Sequence, residues 1–242
     1  MPYIKHIEIK KDKKVDAFPF NLPSLKHLDL LELHPAVTFF VGENGSGKST
    51  LIESIAVAAG FNHEGGSRNF NFSTGENTPV LAKALRLSRS ALRPKNGYFY
   101  RSESFYNVIT NMNQLDEEPC LRPLIKDSYG GRDLHTRSHG ESLLDLIVHR
   151  FGKNGLYIFD EPESSLSAQH QLAFLSKMAE LVSLGCQFII ATHSPILITF
   201  PNAIILEFSA DGINQVNYSE TDNFVIMKCF INNPDRFLNT LL

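Results

Sequence analysis

The sequence VTFFVGENGSGKST, residues 37–50, joins an apolar run to a glycine-rich loop and the start of a helical pattern. Its spacing matches G-x-x-x-x-G-K-[ST], the pattern of phosphate-binding loops. Glycines let the backbone wrap closely around phosphate groups, and successive N–H groups at the start of the following helix attract anions. The stretch therefore predicts a site for a nucleoside triphosphate. A chance match in a Gly- and Ser-rich turn is disfavoured by the strand–loop–helix context.

Individual residues of the loop have distinct expected roles. Lys48 should reach the β- and γ-phosphates, and the Ser49 hydroxyl is the expected magnesium ligand because this ion prefers hard oxygens. Thr50 can add a hydroxyl contact to the α-phosphate. The remaining nucleotide-binding residues of the loop are Gly42, Glu43, Asn44, Gly45, Ser46 and Gly47.

The composition is that of a soluble globular enzyme with one substantial core. The 242 residues are 43% hydrophobic and 20% charged, with a formal net charge of -3. The basic run Lys10–Lys14 is expected to form a solvated hairpin turn rather than a nucleic-acid-binding patch. The mildly acidic net charge does not by itself indicate a constitutive DNA-binding protein. We find no signal core and no apolar segment near the roughly 20 residues that cross a bilayer, so we expect a cytoplasmic protein without an intrinsic membrane segment. Three scattered cysteines are expected to be inert thiols: Cys120, Cys186 and Cys229.

Apolar runs alternate with helical patterns, which predicts an α/β fold with a mostly parallel central sheet and N-terminal antiparallel strands. One helix should run from the loop to about Ala59, and another from Ala168 to Leu184, where Gly185 would end it. We treat residues 1–242 as one domain, with a helical or irregular lobe at about 60–137. The predicted strands are Tyr3–Ile9, Leu28–Leu33, Val37–Val41, Tyr98–Arg101, Leu156–Phe159, Phe188–Thr192 and Ala203–Glu207.

A second motif lies in the sequence GLYIFDEP, residues 155–162. Its apolar residues predict a buried strand whose carboxyl end delivers two acids to the ligand crevice. Asp160 would hold magnesium directly or through water, and Glu161 would act as general base on an attacking water. Alone, these residues would read as an ordinary strand-end turn; after a phosphate-binding loop they form a Walker B motif.

Together these motifs resemble the ATP-binding-cassette (ABC) ATPases, whose signature motif L-S-G-G-Q/E precedes Walker B. Here Ser138 and Gly140 match that signature and Glu141 fits its Glu variant, whereas Arg137 and His139 depart from it. The resemblance implies that these matching residues contact the γ-phosphate bound by an opposite subunit. An ordinary capping box, with Ser138 as N-cap and Glu141 three residues on, is the alternative.

Two further segments extend the resemblance. His193 follows the predicted strand Phe188–Thr192 and resembles the family's switch histidine, which hydrogen-bonds the γ-phosphate and the attacking water. Residues 164–167 correspond to the D-loop that couples two subunits. This loop lacks the usual Asp, so we expect contacts there and no chemistry.

The Q-loop is the clearest departure from the family, because the strand ending at Arg101 leads to Glu103 where a Gln is usual. Glu103 can serve as a water-mediated magnesium ligand, or Arg101 can contact phosphate, and an ordinary surface ion pair accounts for either equally well. Arg68 resembles the arginine that folds over the phosphates in chromosome-maintenance-type ATPases. We identify no adenine-stacking aromatic and expect three nearby candidates to be core residues: Tyr3, Phe18 and Phe20.

The resemblance covers nearly the whole chain and is closest to soluble, stand-alone ABC-type ATPases related to the heads of SMC and recombination-repair proteins. It implies ATP and magnesium as ligands, head-to-tail homodimerisation on ATP binding, and hydrolysis by Glu161, His193 and Lys48. We expect an unidentified effector protein, and a role linked to nucleic-acid metabolism or defence. Two alternatives remain: the nucleotide-binding subunit of a transporter, and a non-enzymatic module that binds ATP to switch partners.

Overall fold

The computed structural model describes residues 2–10, 17–68, 79–117, 127 and 139–241. The signature residue Ser138, the thiol of Cys120 and the basic run beyond Lys10 lie outside these residues. The strands are β1 (Ile4–Ile9), β2 (Leu30–Glu32), β3 (Val37–Gly42), β4 (Gly66–Ser67), β5 (Leu85–Arg89), β6 (Asn96–Arg101), β7 (Gly155–Asp160), β8 (Gln187–Ala191), β9 (Ile204–Ser209) and β10 (Gly212–Val216).

The helices among the described residues are α1 (Pro23–Lys26), α2 (Lys48–Ala58), α3 (Val80–Ala84), α4 (Phe105–Glu117), α5 (His139–Arg150), α6 (Ala168–Ser183), α7 (Asp222–Asn232) and α8 (Pro234–Leu241). The helix that leaves the phosphate-binding loop and the helix predicted at Ala168–Leu184 are both present. Gly185, at φ +81°, takes the left-handed conformation that commonly ends a helix. No described helix is long and apolar enough to cross a membrane.

The central sheet has seven strands in the order β10-β9-β3-β8-β7-β6-β4. Its five inner strands pair in parallel, and the two edge strands, β10 and β4, are antiparallel. Every residue of β7 and β8 is buried, because helices or a second sheet cover both faces. The α/β fold class with a mostly parallel sheet is therefore confirmed.

A second sheet, in the order β2-β1-β5, is entirely antiparallel. Gln187, at the start of β8, connects the two sheets: its Oε1 accepts hydrogen bonds from the main-chain N–H groups of Tyr3 and Ile4, at 2.9 and 3.0 Å. Its Nε2 donates to the carbonyl oxygens of Ile4 and His34. Strand β5 lies in the segment for which the sequence predicted helical or irregular structure, so that segment contributes a strand to the N-terminal sheet.

Hydrophobic side chains form two clusters, one on each face of the central sheet. One cluster packs the sheet against α4, α5 and α6, and the other packs it against α2 and the N-terminal sheet. The C-terminal helices α7 and α8 differ, because they contain no buried residue. Because the inner strands pair in parallel, their carboxyl ends lie at one edge of the sheet, where the motifs of the sequence meet.

Candidate functional site

Three neighbouring strands of the central sheet end side by side, and each delivers a motif. β3 leads into the phosphate-binding loop, β7 ends at Asp160, and β8 leads into Thr192 and His193. Ala191 in β8 lies opposite Phe40 on one side and Asp160 on the other. Since parallel strands present their carboxyl ends at the same edge, residues far apart in sequence form one cluster.

Glycine is required where the phosphate-binding loop leaves β3. Gly42 has φ +134°, and a Cβ atom there would clash with the carbonyl oxygen of Phe208 in β9. Gly47 has φ +100° and lies at the N-cap of α2, against Leu22 and Ser24. The Ser24 hydroxyl, in α1, also donates to the carbonyl oxygen of Ser46. The loop is thus fixed from two sides, with the N-terminus of α2 open to an anion.

Lys48 lies across this loop. Its Nζ donates to the carbonyl oxygens of Gly42 and Glu43, each at 2.8 Å. Burial lowers the pKa of Lys48, and the nearby carboxylates of Glu161, Asp160 and Glu163 oppose that shift. The ammonium group is therefore already at the phosphate-binding loop and faces a group of acids.

Asp160 is 5% exposed and stands next to the predicted magnesium ligand Ser49. Burial raises the pKa of Asp160 to about 7, although a hydrogen bond from the Ser49 hydroxyl and the charge of Arg101 lower it. Its Oδ1 has no hydrogen-bond partner among the described residues. The Ser49 hydroxyl oxygen and the Asp160 carboxylate fit magnesium, because this ion takes few protein ligands and completes its shell with phosphate oxygens and water. The described residues contain no cluster of three or more His, Cys, Asp or Glu side chains that would hold a metal by themselves.

Arg101, at the end of β6, lies among three carboxylates. Its guanidinium nitrogens are 3.4 Å from Glu53 Oε1, 3.0 Å from Glu103 Oε2 and 3.9 Å from Asp160 Oδ2. The Arg101 side chain is 21% exposed and that of Glu103 is 76% exposed. Glu103 is thus paired with Arg101 at the rim of the site, and its role as a magnesium ligand stays a prediction.

Glu161 and His193 face each other, with 3.8 Å between Glu161 Oε1 and His193 Nε2. The main chain of Glu161 adopts the left-handed conformation, at φ 49° and ψ 55°. This conformation is uncommon for residues other than glycine, and such residues are concentrated at functional sites. Burial lowers the pKa of His193, the charge of Lys48 lowers it further, and Glu161 acts in the opposite direction. The structure thus brings the predicted base, histidine and lysine together.

Two side chains around His193 were missed at the level of sequence. The carboxylate of Glu163 accepts a hydrogen bond from the main-chain N–H of His193. Asn223, in α7, donates from Nδ2 to the carbonyl oxygen of His193 at 3.1 Å. Glu163 lies two residues after the second Walker B acid, which was the only available signal, and nothing in the local sequence connects Asn223 to residue 193.

Of the predicted signature, the structure describes His139 onwards, where α5 begins. Gly140 packs against the D-loop: a Cβ atom at Gly140 would lie 2.5 Å from the carbonyl oxygen of Ser165. Ser165 Oγ is hydrogen-bonded to the Tyr100 hydroxyl at 2.9 Å, and Ser167 caps α6. Glu141 is exposed in the first turn of α5. Contact with nucleotide by Ser138, Gly140 and Glu141 stays a prediction.

A cavity of about 160 Å³ lies beside the phosphate-binding loop. Phe18, which the sequence predicted to be a core residue, is 68% exposed and lines this cavity together with Leu22 and Glu161. Tyr3 is buried and Phe20 packs against the core, as expected for both. Phe18 is therefore an exposed aromatic side chain beside the phosphate-binding loop.

The position of Arg68 departs from its prediction. β4 runs antiparallel to β6 and Ser67 pairs with Tyr98, so the chain at Arg68 points towards the amino end of β6. The guanidinium group lies over the Phe61 ring, 5.1 Å from its centroid. Phe61 follows the C-terminal end of α2, whereas the phosphate-binding loop precedes its N-terminal end. The structure therefore does not bring Arg68 to the predicted phosphate site.

Comparison with known proteins agrees with the predicted family resemblance. The family model of an AAA domain matches residues 20–115. The cbiO1 protein of Clostridium perfringens, part of the ABC transporter complex cbiONQ, has a TM-score of 0.52 at 16% identity over 100% of both chains. An ABC transporter in an inward-facing conformation has the same TM-score at 18% identity, over 94% of this chain and 88% of that chain.

An SMC head bound to the C-terminal winged-helix domain of ScpA matches with a TM-score of 0.51 at 15% identity, over 89% of this chain and 98% of that chain. A search of curated protein sequences gives no match. The chain thus has the fold shared by ABC-type ATPases and SMC heads, and the resemblance is confirmed at the level of fold.

Proposed function

We propose, from the fold shared with ABC-type ATPases, that this chain hydrolyses ATP to ADP and phosphate with magnesium. The observation that carries the proposal is the grouping of Lys48, the Ser49–Asp160 pair and the Glu161–His193 pair at one sheet edge. A phosphate-binding loop alone accounts for nucleotide binding. The additional acid and histidine, placed where a γ-phosphate would project, are the groups that hydrolysis requires.

In this proposal each side chain has one role. Lys48 binds the β- and γ-phosphate oxygens, and Ser49 and Asp160 hold magnesium, with Glu103 as a further ligand through water. Bound magnesium would offset the negative charge of the phosphates. Glu161 accepts a proton from the attacking water. His193, which faces Glu161 at 3.8 Å, donates from Nε2 to that water or to the γ-phosphate.

We further propose that two chains associate head to tail when ATP binds. The signature residues Ser138, Gly140 and Glu141 of one chain would complete the phosphate site of the other. The D-loop supports this arrangement, because it contacts Gly140 and begins three residues after Glu161. Hydrolysis would release the pair.

The substitution Glu161→Gln tests the proposal directly. It should remove the base while keeping the shape of the site, so that turnover falls at least about a hundredfold and ATP-bound dimer accumulates. Turnover is measured by phosphate release, and association by size-exclusion chromatography with ATP and magnesium. Glu180→Gln is the matched control, since Glu180 pairs with Lys177 on the exposed face of α6. A monomeric Glu161→Gln variant with full turnover would contradict both hydrolysis by Glu161 and dimerisation.

The work driven by hydrolysis is proposed to act on an effector protein in the cytoplasm, in nucleic-acid metabolism or defence. The likeness to an SMC head supports this direction. Turnover measured with and without double- and single-stranded nucleic acid examines it. Stimulation that declines as salt rises would support phosphate contacts, because their affinity depends strongly on ionic strength.

A second candidate function is that of a transporter's nucleotide-binding subunit. Two of the structural matches are ABC transporter proteins with TM-scores as high as that of the SMC head, which favours this alternative equally at the level of fold. Co-purification with a membrane protein would support it. A non-enzymatic module that binds ATP to switch partners would, in contrast, keep this partner switching in Glu161→Gln.

A further inference from the structure

The main chain of His193 is held by two side chains from other elements. Its N–H donates to Glu163 Oε1, in the short helical turn after Walker B. Its carbonyl oxygen accepts from Asn223 Nδ2, in the first turn of α7, at 3.1 Å. β8 ends at Ala191, so the sheet no longer directs the backbone where His193 begins. The N–H of Thr192 still bonds the carbonyl oxygen of Phe40 in β3, so these two side chains hold the main chain at the point where the sheet pairing stops.

Glu163 is partly buried and lies near the carboxylate of Glu161, which is an unfavourable place for a second carboxylate. Burial raises its pKa, whereas hydrogen bonds from the His193 main chain and the Thr192 side chain lower it. Its Oε2 has no hydrogen-bond partner among the described residues. The carboxylate thus bonds two consecutive residues of the switch segment: the side chain of Thr192 and the main chain of His193.

Asn223 contacts His193 from the opposite side. Besides its bond to the carbonyl oxygen, Asn223 Nδ2 lies 3.5 Å from His193 Nδ1. An amide N–H that faces Nδ1 favours the neutral tautomer in which Nε2 carries the proton. Nε2 is the nitrogen that faces Glu161, so this tautomer can donate a hydrogen bond into the site.

We propose that Glu163 and Asn223 are positioning residues that hold His193 in its working orientation and tautomer. The inference rests on the proposed function, in which His193 assists ATP hydrolysis. It also assigns a role to the start of α7: the C-terminal helices are connected to the nucleotide site through Asn223.

A double-mutant cycle tests the proposal by comparing Glu163→Ala, His193→Ala and the combined variant. Glu163→Ala should lower kcat about tenfold, the effect of losing a partly buried charged acceptor, and change the KM for ATP less than about threefold. In the His193→Ala background the same substitution should cost less than about twofold, because the residue that it positions is gone. Asn223→Ala should follow the same pattern with a smaller loss.

Glu163→Gln should retain most of kcat, because its amide oxygen can accept the same two hydrogen bonds. Glu220→Ala is the matched control near α7, since Glu220 is exposed and bonds only with Asn217 in the hydrogen bonds described. It should leave kcat unchanged. Thermal unfolding of each variant checks that the fold is intact.

The outcomes separate the two proposals. Equal loss of kcat from Glu163→Ala in both backgrounds would overturn positioning while leaving hydrolysis in place. A wild-type chain without turnover would overturn the proposed function. In that case NMR spectra still test positioning through the ring signals of His193, which are assigned by comparison with His193→Ala. These signals should shift in Glu163→Ala and Asn223→Ala and should be retained in Glu163→Gln. Unshifted signals in all three would overturn positioning.

Discussion

Asp160 combines high burial with a negative charge. Its pKa of about 7 in the folded chain exceeds the ordinary value of 3.8 because burial penalises the ionised form. The folded state therefore binds a proton more tightly than the unfolded state, and stability falls as pH rises from about 4 to 7. Above pH 7 the full cost is present. A shift of about three pKa units corresponds to about 4 kcal/mol, an upper bound on the destabilisation.

We expect Asp160→Asn to stabilise the chain without nucleotide and to abolish turnover. The amide removes the buried charge and keeps an oxygen for the Ser49 hydroxyl, so unfolding free energy should rise at pH 8 by up to about 4 kcal/mol and by less at pH 5. Magnesium-dependent hydrolysis should fall at least about a hundredfold. Denaturant unfolding at both pH values and phosphate release measure these effects. A stability gain that is the same at pH 5 and pH 8 would contradict the assigned cause.

Phe18 and Phe20 form a natural pair for testing adenine contact. Phe18 is exposed beside the phosphate-binding loop, whereas Phe20 packs against the core. Phe18→Ala should raise the KM for ATP about five- to tenfold with little change in kcat or thermal stability, because stacking is worth about 1–1.5 kcal/mol. Phe20→Ala, the control, should lower stability and leave the KM nearly unchanged. Equal KM values for wild type and Phe18→Ala would exclude the stacking role.

At the scale of elements, the sequence predicted the inner strands well because their burial on both faces leaves continuous apolar runs. β5 was missed because Arg86 and Arg89 interrupt its apolar residues, as expected for a strand with one exposed face. β4 is only two residues long, too short to produce a pattern. α7 and α8 expose many of their apolar residues, so no burial stripe indicates how they pack.

The residues of the candidate site, like the strands, could be predicted where a local sequence pattern marks them. Lys48, Asp160, Glu161 and His193 lie in motifs of contiguous residues, so local sequence was sufficient to find them. Asn223 contacts His193 across the fold, and only the structure reveals such a pair. Phe18 was assigned to the core because an aromatic residue is more often buried, and only the structure shows that it is exposed.

The contact between α5 and the D-loop depends on one glycine. Since the carbonyl oxygen of Ser165 would lie 2.5 Å from a Cβ atom at Gly140, Gly140→Ala must displace main chain. We expect a loss of unfolding free energy of about 1–3 kcal/mol, typical of overpacking. Gly60→Ala is the matched control for added bulk, because a Cβ atom there meets nothing within 4 Å, although its φ of +93° adds strain. Denaturant unfolding compares them, and unchanged stability in Gly140→Ala would contradict the tight contact.

At the scale of the whole molecule, one sheet edge collects the phosphate-binding loop, both Walker B acids and the switch histidine. The signature helix α5 instead packs on the face with α4 and α6, beside the D-loop. This arrangement is compatible with the proposed shared site, in which a second chain would supply the signature. Each chain would contribute its phosphate-binding loop to one site and its signature to the other, as in head-to-tail association of identical subunits.

Complementation between two inactive chains provides the last prediction. Lys48→Ala disables the phosphate-binding loop, and Ser138→Arg disables the predicted signature. A dimer with one chain of each type contains one site with an intact loop and an intact partner signature. Random mixing in equal amounts makes half of the dimers mixed, each with one complete site of two, so activity should return to roughly a quarter of the wild-type value.

Phosphate release is measured for each variant alone and for the mixture, with the double variant plus wild type as control for dilution. Activity that stays at the level of the separate variants would show that the signature does not act across the dimer or that one complete site is insufficient, and wild-type activity of Ser138→Arg alone would exclude the signature role outright.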